Sequence, residues 1–191
     1  MSFIKRHVAA LERRWAHSPW FFHLYAAPYR ALVRRELGLA AVGPEDVVLS
    51  VGCGALPFTA VLCAKFSGAR VIAVDIDADA VEKARALVQR LGMSSQIEVL
   101  LADAAEACLP AATVALVALQ AAPKDLISRN LMRSLPTGGG RVVYRLPRAG
   151  LEAQYGCFDE LEDVVGLVRH RMPTFDRSVL CCSSEAPQRP S

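Results

Sequence analysis

Two glycines and an acid carry the first chemical signal in this chain. Gly52 and Gly54 stand directly after the apolar run Val47, Val48, Leu49 and Val51. Asp75 ends a second run of that kind, residues 70–74. Glycine lets the chain turn sharply and lets a ligand lie against bare backbone. A carboxylate at the carboxyl edge of the neighbouring strand can hold a ribose diol by two hydrogen bonds. Residues 47–77 therefore read as strand, glycine turn, helix, strand and acid, a nucleoside-binding βαβ unit.

The glycine spacing bears on which nucleoside. A dinucleotide site asks for G-x-G-x-x-G, with a helix N-terminus facing a pyrophosphate. Here the third glycine position is Pro57, which suits the first turn of a helix instead. A ligand without phosphates fits better, and this disfavours a nicotinamide-dependent oxidoreductase. S-adenosylmethionine has a ribose for Asp75 and an amino acid moiety that can sit over residues 52–54. Gly52, Cys53 and Gly54, then Asp75 and Ile76, are the first candidate cofactor contacts. Asp103 and Ala104 follow a third strand, where an adenine amino group can be met; Asp103 equally suits the N-cap of a helix over residues 104–108. Gln120 ends a fourth strand and completes the set. The following Gln120-Ala121-Ala122-Pro123 holds no acid, no histidine and no Asn-Pro-Pro-Tyr-like run, which argues against methylation of exocyclic base amines.

These residues need a scaffold. The chain has 191 residues, 53% hydrophobic and 21% charged, enough for one globular domain with a substantial core. No apolar run is long enough for a bilayer and residues 1–14 lack a secretory apolar region, so a cytoplasmic protein without membrane partners is expected. The six cysteines show no C-x-x-C pair, and no metal site is expected. Residues 1–36 hold seven Lys/Arg against two Glu. That excess is either a solvated helix face or a basic cap over an acidic partner. No base-reading motif accompanies it, so a small-molecule substrate is expected rather than nucleic acid.

Residues 2–16 repeat Ile4, Val8, Leu11 and Trp15 at helical spacing. Ser18 and Pro19 open a second helix, with Pro28 inside it as a kink or break. The two helices form an N-terminal cap, residues 1–40, suited to lie as a lid over the carboxyl edge of a sheet. Tyr25, Tyr29 and His23 on it are either ordinary packing or the catalytic candidates if a general base is needed. An aromatic helix pair of this kind could also pack against a second copy as a homodimer. An α/β domain follows over residues 41–183. Its helices are expected at 78–91 and 124–135, and its strands at 47–51, 70–74, 96–101, 113–119 and 141–146. Segments 164–170 and 178–182 form a hairpin, and residues 184–191 a flexible tail. Right-handed crossovers then give a doubly wound, mostly parallel seven-stranded sheet with helices on both faces and an antiparallel C-terminal hairpin.

VLSVGCG (48–54), AVDID (73–77) and LLADA (100–104) resemble the three cofactor motifs of the class I S-adenosylmethionine-dependent methyltransferases, over about residues 47–182. The resemblance implies methionine binding at residues 52–54, ribose binding at Asp75 and adenine binding at Asp103 and Ala104. One departure is Ser50, where the family usually has an acid. A narrower resemblance joins GCGALPFT (52–59) to the GxGxLPxT turn of nicotianamine synthases and related metallophore enzymes, which transfer the aminocarboxypropyl arm of the same cofactor. Residues 143–156, 175–182 and 25–36 are similar to that group as well. Those enzymes carry a larger N-terminal helical domain; here only about forty residues precede the first strand. The expected function is an S-adenosylmethionine-dependent transferase on a small molecule. Methyl transfer leads, aminocarboxypropyl transfer is the alternative, and a module that binds the nucleoside without turnover is a third reading. Arg145 is the candidate for gripping a substrate carboxylate by a bidentate pair, or else forms a surface salt bridge.

Overall fold

The computed structural model describes residues 27–106, 108–155 and 164–182. They build one seven-stranded sheet in the order β3-β2-β1-β4-β5-β7-β6. In chain order the elements are α1 (Ala27–Leu39), β1 (Val47–Val51), α2 (Phe58–Ser67), β2 (Arg70–Asp75), α3 (Ala78–Arg90), β3 (Ile97–Leu101), β4 (Val114–Val117), α4 (Lys124–Ser134), β5 (Arg141–Pro147), α5 (Glu152–Tyr155), β6 (Val164–Arg169) and β7 (Phe175–Cys182). β1 to β5 pair in parallel. β7 runs antiparallel between β5 and β6, as the hairpin reading expects.

Alternation along the strands sorts the core into two layers. Val48, Val71, Ala73, Leu116 and Val143 face one side with Leu32, Val33 and Leu37 of α1, Val61 of α2 and Leu87 of α3. Leu49, Val51, Ile72, Val74, Val117 and Tyr144 face the other with Ile127 and Leu131 of α4. Both faces are covered, which is why these strands are nearly continuous apolar runs. The chain moves outward from β1 through β2 to β3, then returns to the other side of β1 with β4. The crevice at that reversal, beyond the carboxyl ends of β1 and β4, is where ligands bind in open α/β sheets.

Several boundaries differ from the sequence expectation. β4 stops at Val117, and Ala118 and Leu119 stay buried as loop. Residues 104–106 form a turn rather than a helix. Asp103 Oδ1 accepts the Ala105 amide at 2.8 Å, so the capping interaction forms without a helix to cap. Pro28 stands at the second described residue of α1, and the helix expected before it lies outside the described residues. The expected helix over residues 2–16, with Tyr25 and His23, lies outside the described residues. Among the described residues no helix is long and apolar enough to cross a membrane.

Candidate active site

The glycine turn forms because three amides find acceptors on β2. Gly52 and Cys53 both donate to the Val74 carbonyl, at 2.9 and 3.1 Å. Gly54 donates to Asp75 Oδ2 at 2.7 Å. Both glycines need the left-handed region, at φ +76° and +65°. A Cβ on Gly52 would lie 3.2 Å from the Ala118 Cβ, whereas one on Gly54 would meet nothing within 4 Å. Gly52 is packed; Gly54 shows its bare backbone to open space.

Asp75 Oδ1 accepts the Asp77 amide at 3.1 Å. Each oxygen of that carboxylate thus takes one backbone bond and keeps a lone pair for a hydroxyl donor. Asp77 in turn caps α3, accepting from Asp79 and Ala80. One cavity collects Gly52, Asp75, Ile76, Asp103, Ala104 and Gln120. Ile76 is 67% exposed there, an apolar face beside the acid. This brings together all the candidate cofactor contacts except Cys53, which lines the adjoining cavity, and Gly54, which lines neither. Among the described residues the donor and acceptor set fits an adenosine: a carboxylate for the diol, an acid past β3, an apolar wall, and no cluster of cations for phosphate.

A second cavity meets the first at Gly52 and Gln120. Tyr29, Cys53, Phe58, Thr59, Tyr155 and Phe175 are among its walls. Tyr29 stacks on Phe58 with ring centroids 5.5 Å apart. Burial, then the negative charge of Asp75, pushes the Cys53 thiol up to about 12. It is a neutral wall residue, since only a thiolate is a competent nucleophile. Among the described residues no group of His, Cys, Asp and Glu is placed to hold a metal ion.

Arg145 also borders the second cavity, but the two-point grip expected for a substrate is spent inside the protein. Its Nε and Nη2 donate to the two oxygens of Glu36, at 2.8 and 2.7 Å. Nη2 also donates to Thr59 Oγ1 at 3.1 Å. The pair is buried rather than a surface bridge, with Glu36 fully enclosed. Burial opposes the Arg145 charge, and Glu36 beside it overrides that and keeps it protonated. Ser178 donates to Glu36 Oε1 at 2.7 Å, so His170 Nε2, 2.9 Å from Ser178 Oγ, must be the donor of that contact. Sequence reasoning missed Glu36, Ser178 and His170. Glu36 had a signal: it shares the apolar helix face of Leu32, Val33 and Leu37.

Residues 48–139 match a methyltransferase domain family. Among solved structures, an RNA methyltransferase from Salinibacter ruber in complex with S-adenosyl-L-homocysteine superposes with a TM-score of 0.64, at 24% identity, covering 84% of this chain and 96% of that one. The fold is that of the class I S-adenosylmethionine-dependent methyltransferases. A nicotianamine synthase, MtNAS, is similar too. In complex with S-adenosylmethionine, a point mutant of it gives a TM-score of 0.74 at 26% identity, with 87% of this chain and 69% of that chain covered. A curated relative, L-histidine 2-aminobutanoyltransferase from Yersinia pestis, is 38% identical over 74 residues, 39% of this chain and 28% of the relative. The enzyme of that name from Pseudomonas aeruginosa is 32% identical over 82 residues, 43% of this chain and 31% of the relative. The chain thus spans under a third of these curated relatives' length.

Proposed function

We propose that this protein is an S-adenosylmethionine-dependent transferase acting on a small molecule, and that it moves the aminocarboxypropyl arm. The observation that carries the reading is the pair of cavities meeting at Gly52 and Gln120, with Asp75 in one and the glycine turn on the edge of both. In it, Asp75 accepts from the ribose hydroxyls, Asp103 from the adenine amino group, and Ile76 covers the base. The backbone of residues 52–54 supports the methionine moiety. The cofactor when bound supplies a sulfonium with three carbons open to displacement, so the carbon facing the acceptor decides the product. The second cavity lies on the glycine-turn side, where Gly52 and Cys53, the residues that would support the methionine moiety, are among its walls. What favours the arm over the methyl group is likeness: the GCGALPFT turn and the 2-aminobutanoyltransferase relatives. Methyl transfer is the second reading, favoured by the methyltransferase domain match.

Displacement at such a carbon has a good leaving group already, and alignment supplies most of the rate. The chain's task is to fix the acceptor in line and exclude water. Tyr29 on the wall of the second cavity is our candidate to take a proton from the acceptor, with Tyr25 and His23 further candidates from the N-terminal segment. We assign Arg145 the role of fixing the cavity floor through Glu36. We further read the acceptor as a small molecule rather than nucleic acid and the location as cytoplasmic. We read residues 1–40 as a cap on the α/β domain, able to pair two copies.

Cofactor labelled separately on the methyl and on the arm tests the reading across a panel of amino acid and amine acceptors. We expect label from the arm in the acceptor and methylthioadenosine as co-product. Release of S-adenosylhomocysteine would favour the methyl reading, and absence of either product across the panel would favour a binding module.

A further inference from the structure

We infer that Lys124 is a positioning residue for this site, a single buried ammonium that holds the walls of both cavities in place. The inference rests on the reading of those cavities as cofactor and acceptor sites. Lys124 opens α4 and is 4% exposed. Its Nζ donates to three backbone carbonyls: Leu119 at 2.8 Å, Ala121 at 3.1 Å and Tyr155 at 2.5 Å. An ammonium has three hydrogens, so its donors are all spent on main chain. Lys124 is therefore neither a base nor a grip for substrate, and burial alone holds its pKa below the ordinary lysine value.

What it holds matters more. Leu119 and Tyr155 line the second cavity, and Ala121 lines the first. Gln120, between two of the anchored carbonyls, lines both and reaches the Gly52 carbonyl at 3.5 Å. A Cβ at Gly52 would lie 3.5 Å from the Ala121 Cβ, so the anchored segment packs directly on the glycine turn. The third anchor is distant in sequence. Tyr155 ends α5, a four-residue helix with no buried residue. One cation therefore closes a loop between the β4 exit and the β5–β6 connection, fixing cofactor and acceptor walls relative to each other.

The test compares Lys124→Met, which keeps the stem and removes the donors, with Leu87→Ala, a core truncation in α3 away from both cavities. Calorimetric titration with S-adenosylhomocysteine is run where melting curves show all variants folded. Hydrogen exchange is followed at the Ala121 and Tyr155 amides, which donate to Ala118 and Leu151. We expect Lys124→Met, which removes all three hydrogen bonds, to weaken binding about tenfold, the worth of about one net hydrogen bond, and to speed exchange at both amides. Leu87→Ala leaves affinity within about twofold despite its lower melting point. Wild-type affinity in Lys124→Met overturns the inference, whether or not exchange changes. If the methionine variant does not fold, Lys124→Gln, with two donors on a shorter stem, must weaken binding at least about threefold; wild-type affinity there overturns it equally. Failure of the wild type itself to bind strikes the reading of the site, a distinct outcome.

Discussion

Arg145 shows how a residue legible in sequence can take a different part in the fold. A lone arginine late in a strand of an α/β enzyme invites a substrate carboxylate, yet its partner is Glu36, 109 residues earlier. Breaking a buried pair leaves one charge unmatched, which costs about 3–5 kcal/mol. Arg145→Met is therefore expected to lower the stability read from chemical denaturation by that order, with the whole effect present in the absence of any acceptor. The double variant Glu36→Leu with Arg145→Met should recover much of the loss. A variant that kept wild-type stability and lost only acceptor affinity would return Arg145 to the substrate. Gly52, Gly54 and Asp75 were legible because their chemistry is local: a strand, a turn and the next strand set their meeting within 24 residues. His170 and Ser178 were not, and Glu36 showed only its place on an apolar helix face, because sheet order alone brings α1 and the β6–β7 hairpin onto one side of β5.

At the scale of elements, the link between α1 and β1 is pinned by a charged knot at the amino edge of the sheet. Arg141, at the start of β5, donates to the carbonyls of Ala40 and Ala41 and pairs with Asp46. Thr113 donates to Asp46 at 2.6 Å, and Val47 donates back to Thr113 at 3.1 Å. Burial pushes the Asp46 carboxyl up, but the bonds from Thr113 and Gly43 and the Arg141 charge outweigh it and hold the carboxyl below 3.8. A depressed carboxyl contributes stability above its unfolded value and loses it as pH falls through the folded one. The melting-temperature gap between wild type and Asp46→Asn should thus be constant above about pH 5 and shrink below 3.8. A gap independent of pH would show that the knot works by shape alone. The alternation of strands with helices, and the final hairpin, were plain from apolar patterning. The early end of β4 was not, since Ala118 and Leu119 are as apolar as the strand before them and only their exit toward Lys124 sets them apart. Of the two readings of Asp103, the helix N-cap did not extend into a helix over residues 104–106; an Asx turn and a helix N-cap begin with the same bond.

At the scale of the molecule, the sheet order does the functional work. Starting at β1, stepping to β3 and returning to β4 opens a crevice at the carboxyl edge, and every candidate cofactor residue lies at that edge. Part of the basic excess of the N-terminal region is absorbed in packing: Arg30 and Arg34 lie over the Phe66 ring, at 5.7 and 4.2 Å, and Arg35 donates to the Arg169 carbonyl. That lends weight to the solvated-face reading over a binding surface. The account stands on the crevice being a cradle for adenosine without phosphates, and calorimetric titration of the wild type and Asp75→Asn with S-adenosylhomocysteine and with NADH addresses it directly. An asparagine puts a donor NH2 in place of one of the two carboxylate oxygens that now accept amides, so the variant should bind S-adenosylhomocysteine about tenfold or more weakly than wild type. NADH should give no heat with either protein. Equal affinity of both proteins for S-adenosylhomocysteine, or tight binding of NADH, would contradict the account.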